Sequence, residues 1–258
     1  MLLGACGSGG TEADQDAASQ KLTVAAAANL SNTIDQLAEA FTQKTGIQVV
    51  VSIGSTTSLT QQIENGAPFD LFAAADTEHI DQLIADGFAV PGSRAVYARG
   101  RLVAWTPDRG EDRGDLVLNR LEDLANPEVK FVAIANPELA PYGEAAVELL
   151  MAKGLWDAVE PKLVYGNNVT QALQLAETGN ADAALVAYSL VGGGVHGGHV
   201  FGGDTDADTE PMHQPLDQAL GIMTQSPHQQ LAHQFADFLR SPEGQKILQQ
   251  NGYAIPPR

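Results

Sequence analysis

From Lys21 onward, short apolar runs alternate with amphipathic stretches, and this alternation predicts an α/β fold with mostly parallel strands. Leu22 to Ala27 reads as a strand; Leu30, Ile34, Leu37, Ala38 and Phe41 then share one helical face as far as Gly46. The β-branched run 47–53 reads as a buried strand, "GSTTS" as the next turn, and Leu59 to Glu64 as a helix. Residues 70–75 read as a strand and 77–86 as a helix closed by Gly87. Strands follow at 101–107, 130–135, 162–166 and 183–188. Helices are predicted around Ala145–Leu150 and Val169–Ala176, and over 231–239 and 243–250.

A unit of strand, small polar turn and helix recurs at 22–41, 47–65, 130–152 and 162–178, two copies in each half. The late apolar run 219–223 reads as a strand returning to the first half. The expectation is two Rossmann-like α/β lobes joined by a hinge that the chain crosses more than once. Residues 22–100 with 218–258 are assigned to lobe I, and 101–217 to lobe II.

The turns carry the candidate chemistry. The first N–H groups of a helix have no intrahelical acceptor, and the peptide dipoles add partial positive charge there, so a helix start suits an anion. The side chains at these starts are short and polar or hydroxylic: Asn29 and Ser31; Ser55, Thr56, Thr57 and Ser58; Tyr142; Asn167 and Asn168. In open α/β sheets ligands bind beyond the carboxyl ends of the strands. Four such ends facing one cleft could hold a tetrahedral oxyanion with neutral donors alone. Singly, each of these residues is also an ordinary helix cap.

Composition narrows the partners. Lys+Arg number 14 against 32 Asp+Glu, a formal charge of −18, which argues against nucleic acid or an anionic membrane surface. Such a balance suits a salty medium, where like charges are screened. No phosphate-binding glycine motif sits at a strand-to-helix turn, no H-E-x-x-H or cysteine pair marks a zinc site, and no G-x-S-x-G elbow occurs. The run 191–210 holds His196, His199, Asp204, Asp206 and Asp208, but its D-x-D-x-D spacing lacks the glycine and closing glutamate of a calcium loop. It reads as a solvated, mobile Gly-rich loop. The single cysteine, Cys6, follows Leu3-Gly4-Ala5 and resembles a bacterial lipobox, with residues 1–20 as signal remnant and flexible tether. Only five residues precede it, fewer than a signal segment needs.

The runs "TVAAAANLSNTIDQLAEAF", "GSTTSLTQQIENGAPFDLFAAAD", "ANPELAPYGEAAVELL", "GLWDAVEPKLVYGNNVTQALQLAETGNADAALVAYS" and "SPEGQKILQQNGY" together resemble the molybdate-binding proteins of bacterial ABC importers. The resemblance implies the type II periplasmic-binding-protein fold and an oxyanion held by backbone N–H groups and hydroxyls. By motif position it implicates Asn29, Thr56, Tyr142, the backbone of Val169, and the Tyr188 hydroxyl, with Ala28 and Ser55 as additional donors. Asn29 and Thr56 stand where many members have Ser, and Tyr142 where several have a small residue. Molybdate and tungstate are fully deprotonated dianions and need only donors, whereas hydrogenphosphate also needs an acceptor. No Asp or Glu occupies a contact position; Glu138 and Glu144 flank Tyr142. Tyr188 is followed by Ser189, unlike the paired tyrosines of ferric binders. The resemblance implies an extracytoplasmic, lipid-anchored monomer with no cofactor and an ABC permease as partner. Sulfate is the alternative ligand. An enzyme would need a nucleophile–base or carboxylate pair in the cleft; the turns offer none, and hydroxyl-rich turns without a nearby His argue against it.

Overall fold

The computed structural model describes residues 21–108, 118–192, 197–204 and 212–255. Cys6 and the tether, most of the charged run 108–115, and His196, Asp206 and Asp208 therefore lie outside the described residues.

The first half opens with β1 (Lys21–Ala27), a 3-10 turn at Ala28–Leu30, α1 (Ile34–Thr45), β2 (Gln48–Gly54) and α2 (Thr56–Glu64). It continues with β3 (Leu71–Ala73), α3 (Glu78–Ala85), β4 (Ala95–Arg99) and β5 (Leu102–Thr106). Then come β6 (Val132–Ala135), α4 (Pro141–Ala152), α5 (Trp156–Val159), β7 (Leu163–Gly166) and α6 (Val169–Glu177). The chain closes with β8 (Ala183–Ala187), α7 (Tyr188–Val191), β9 (His199–Gly203), β10 (Asp217–Ile222), α8 (Gln229–Arg240) and α9 (Pro242–Gln250).

Local chemistry explains these boundaries. In α1 the apolar stripe Ile34, Leu37, Ala38 and Phe41 is buried, and Gly46 ends the helix in the left-handed region at φ 77°. Ser55 caps α2, its Oγ accepting from Ser58 N at 3.3 Å. That cap starts the helix at Thr56, so "GSTTS" is largely a helix N-terminus rather than a free turn.

The strands form two five-stranded sheets, ordered β2-β1-β3-β10-β4 and β7-β6-β8-β5-β9. In each sheet the first three strands run parallel and the fourth is antiparallel to both its neighbours. That corrects the expectation of mostly parallel strands: half the pairings are antiparallel. The reason lies in connectivity. The fourth strand of the first sheet, β10, arrives from β9 in the second; the fourth strand of the second, β5, arrives from β4 in the first. A strand entering directly from the facing sheet has no helical crossover to reverse it.

Three other expectations change. β2 is an edge strand and only half-buried, because it has a neighbour on one side alone. β4 was not anticipated. Part of the run read as a loop at 191–210 pairs with β5 as β9, Trp105 facing Val200. The late strand does return to the first sheet, as β10.

The first sheet has a core on each face: Leu22, Val24 and Ala26 pack with Phe41, Phe235 and Phe238 on one, and Ala25 with Leu59, Phe72 and Ile80 on the other. Phe41 and Phe235 meet edge-on at 5.1 Å. The core of the second sheet is continuous with Ala27, Ala28 and Ala75 of the first, so the strand ends meet across a common boundary.

Candidate functional site

Each predicted contact residue sits where a strand gives way to a helical turn. Ala28 and Asn29 open the 3-10 turn after β1, Thr56 is the first residue of α2, Tyr142 the second of α4, Val169 the first of α6 and Tyr188 the first of α7. The cap hydrogen bonds are made by amides further along: Ser58 N to Ser55, Gly143 N to the Ala140 carbonyl at 2.8 Å, and Gln171 N to Asn168 Oδ1 at 2.9 Å. The first-turn amides of Thr56, Tyr142 and Val169 are thus left with the helix dipoles behind them. Ser55 and Asn168 act as plain caps.

Hydrogen bonds between the turns hold them together. Thr170 Oγ1 donates to the Ala28 carbonyl at 3.0 Å, and Ser189 Oγ donates to the Asn29 carbonyl at 2.9 Å. Thr57 N donates to the Leu139 carbonyl, 3.3 Å away, joining α2 to the turn before α4. Gln218 of β10 links Asn29 to Tyr142: Asn29 Nδ2 donates to Gln218 Oε1 at 2.8 Å, and Gln218 Nε2 donates to Tyr142 Oη at 3.2 Å. Asn29, Thr56, Tyr142 and Val169 are all buried. Tyr188 is half-buried, and its hydroxyl makes no hydrogen bond among the described residues.

The polarity of these bonds is specific. Thr56 Oγ1 accepts from Ala75 N at 3.2 Å, so its own hydrogen is free to be donated. Tyr142 is in the same position, accepting from Gln218. Burial pushes the Tyr142 hydroxyl well above its ordinary pKa, with the neighbouring Tyr253 adding, so it remains a donor. Asn29 differs from expectation. Both its Nδ2 hydrogens are used, on Gln218 Oε1 and on Tyr253 Oη at 2.9 Å, and its Oδ1 is buried without a partner. Asn29 therefore offers its backbone N–H, and its side chain serves the framework.

Several contributors were not identified from sequence: Gln218, Tyr253, Thr170, Ser189 and Arg101. The Arg101 guanidinium lies 3.9 Å from the centre of the Tyr188 ring, a cation–π contact beside the site. The lining is therefore not neutral throughout. Gln218 carried one signal, a polar side chain within the apolar stretch of β10.

His79 also corrects an expectation. Its Nδ1 is 2.7 Å from Asp76 Oδ2 and its Nε2 is 3.1 Å from Thr57 Oγ1, so a histidine does approach the hydroxyl-rich turn. Burial works against the charged ring, but Asp76, by hydrogen bond and charge, with Glu144 and Glu78 adding, raises its pKa overall. Because the folded pKa is raised, the pair's stabilisation is complete below the ordinary imidazole pKa of about 6.5 and disappears as pH rises through the folded value. Urea unfolding across that range is expected to show His79→Gln less stable than the parent at low pH, with the gap closing as pH rises. A gap independent of pH would refute the assignment.

The acids flanking Tyr142, Glu138 and Glu144, are exposed as residues. His199 Nε2 lies 2.6 Å from the Leu118 carbonyl, and Asp204 takes hydrogen bonds from Leu102 N and His213. Both are thus engaged in framework contacts. Among the described residues no group of three or more His, Cys, Asp or Glu side chains is arranged to hold a metal ion.

Two sheets that exchange their fourth strands, with donor-rich turns gathered at their common boundary, define a two-lobed binding protein. The chain belongs to the bacterial extracellular solute-binding proteins, whose family model matches residues 22–254. Within that family it is similar to molybdate-binding proteins. It is 36% identical to the molybdate-binding protein ModA of Rhodobacter capsulatus, over 92% of this chain and 89% of that protein. It is 35% identical to that of Azotobacter vinelandii, over 91% of this chain and 90% of that protein. The solved Azotobacter vinelandii periplasmic molybdate-binding protein matches with a TM-score of 0.81 at 33% identity, covering 92% of this chain and 100% of that one.

Proposed function

We propose that this protein captures molybdate or tungstate outside the cytoplasm and delivers it to an ABC permease. The observation that carries the reading is the donor-only polarity of the candidate site. Thr56 and Tyr142 already accept inside the protein, and Thr56, Tyr142 and Val169 stand in helical first turns. A fully deprotonated tetrahedral dianion matches that set; an anion carrying a proton does not. The similarity to molybdate-binding proteins over most of the chain supports the same ligand.

In this reading Ala28, Asn29, Ser55 and Thr56 belong to lobe I, and Tyr142, Val169 and Tyr188 to lobe II. The lobes hinge at the two crossings, between β4 and β5 and between β9 and β10. Tethering through a lipid at Cys6 and action as a monomer belong to the same proposal, as does the absence of catalysis.

A thermal-shift screen with molybdate, tungstate, sulfate and phosphate tests it. Molybdate and tungstate are expected to raise Tm and phosphate to leave it unchanged. A rise with sulfate alone would transfer the assignment to sulfate. Tyr188→Phe removes a hydroxyl without a hydrogen-bond partner among the described residues and is expected to weaken molybdate binding by about 1–3 kcal/mol. Unchanged affinity by calorimetry would take Tyr188 out of the contact set.

A further inference from the structure

We infer that Gln218 is a specificity-determining residue: it orients the Tyr142 hydroxyl as a donor toward the cleft and thereby selects oxyanions that carry no proton. The inference rests on the oxyanion-binding reading above. It adds a residue that touches no ligand and acts through Tyr142.

The argument is an inventory of hydrogens. Tyr253 Oη lies 2.8 Å from the Asn29 carbonyl, an acceptor only, so the one phenolic hydrogen of Tyr253 is committed there. Ser189 Oγ donates to the same carbonyl. Tyr253 can then only accept from the Asn29 side chain, which requires Nδ2 at that contact. The second Nδ2 hydrogen points at Gln218, which must present Oε1. Tyr97 Oη lies 3.0 Å from the same oxygen and 3.1 Å from the Ala74 carbonyl, and its one hydrogen cannot serve both, so the Asn29 contact rather than Tyr97 sets the Gln218 orientation. Gln218 Nε2 is then turned to Tyr142 Oη. Tyr142 accepts, and its own hydrogen is left to be donated.

Reversing any member breaks the chain. An inverted Asn29 amide would ask Tyr253 for two hydrogens. An inverted Gln218 amide would set Nε2 against Asn29 Nδ2, donor against donor. The network is buried: Gln218, Asn29, Tyr97, Tyr142 and Tyr253 are all at most a few per cent exposed, so no bulk water relaxes the directions. The three tyrosines are held in their protonated forms by burial.

The test is Gln218→Glu, with molybdate and hydrogenphosphate affinities measured by calorimetry at mildly alkaline pH. The carboxylate still accepts from Asn29 and Tyr97, but its second oxygen accepts from Tyr142, so the Tyr142 oxygen becomes an acceptor toward the cleft. The preference for molybdate over hydrogenphosphate is expected to fall by about tenfold or more, the worth of one charge-assisted bond. Added negative charge alone would weaken both dianions alike and leave the ratio unchanged. In a Tyr142→Phe background the substitution should no longer move the ratio. Gln218→Met, which removes the directing amide without reversing it, should lower molybdate affinity with a smaller change in ratio. An unchanged ratio in folded Gln218→Glu, or an equal change in the Tyr142→Phe background, overturns the inference. A parent protein that binds no molybdate would instead overturn the functional reading beneath it.

Discussion

Gly100→Ala is expected to lower the melting temperature and to weaken molybdate binding about tenfold or more. Gly100 lies between β4 and β5, where the chain passes from the first sheet to the second. A Cβ there would lie 2.1 Å from Tyr142 Oη and 2.7 Å from Gln218 Nε2. Both neighbours are buried, and Tyr142 is a rigid ring whose hydroxyl end cannot swing away without leaving its partner. Overpacking of this kind typically costs about 1–3 kcal/mol. In a chain of this size that corresponds to about 2–4 °C of Tm for each kcal/mol. The effect on binding exceeds the effect on stability, because the displaced atom is a proposed ligand contact. Removing the obstructing oxygen offers the control. Gly100→Ala with Tyr142→Phe should recover part of the lost Tm, since the nearest clash is gone, yet should not recover binding. Calorimetry and thermal melts of the single and double variants decide it, and a single variant that binds like the parent excludes this geometry.

Val169→Pro is the complementary experiment, since it removes a backbone donor while keeping the helix. Proline is tolerated at the first residue of a helix, where its missing N–H has no intrahelical role. The residue before it must be extended, and Asn168 is, at φ −153° and ψ 175°. The cap from Gln171 N to Asn168 Oδ1 does not involve Val169. The expected loss is about 1.5–3 kcal/mol of molybdate affinity, the range for a hydrogen bond to a charged group. Val169→Ala keeps the amide and should bind nearly as the parent does. Equal affinity for the proline variant and the parent would mean that the anion is not held by this amide.

Much of the architecture was legible in the chain because burial imposes a period. The stripe Ile34–Phe41 could only be one face of a helix, and the small polar residues between apolar runs marked the strand ends where the candidate site lies. The pattern put Thr56 and Tyr142 at such strand ends, where the structure also has them, whereas Val169 was proposed from the family resemblance. The unforeseen parts depend on pairing rather than pattern. β9 is a glycine-containing outer strand whose identity comes from its partner β5, and β2 owes its exposure to its place at the edge. Asn29 does lie in the turn after β1, but the use of its side chain was not foreseen. Its partners Gln218 and Tyr253 are 189 and 224 positions away, and neither distance nor direction is written in a local run of residues.

The Asn29–Tyr253 contact has a consequence in time. The first turn of the candidate site is steadied by a hydroxyl 224 positions further along the chain, and by an amide on a late strand. During synthesis, and during any passage of the chain through a membrane in extended form, Asn29 emerges long before either partner. A nascent chain that has made β1 and α1 has the turn but not the framework that orients it. The framework of the first turn is therefore assembled only once β10 and Tyr253 have emerged, and a chain that stops short of them has no such framework with which to compete for scarce metal oxyanion.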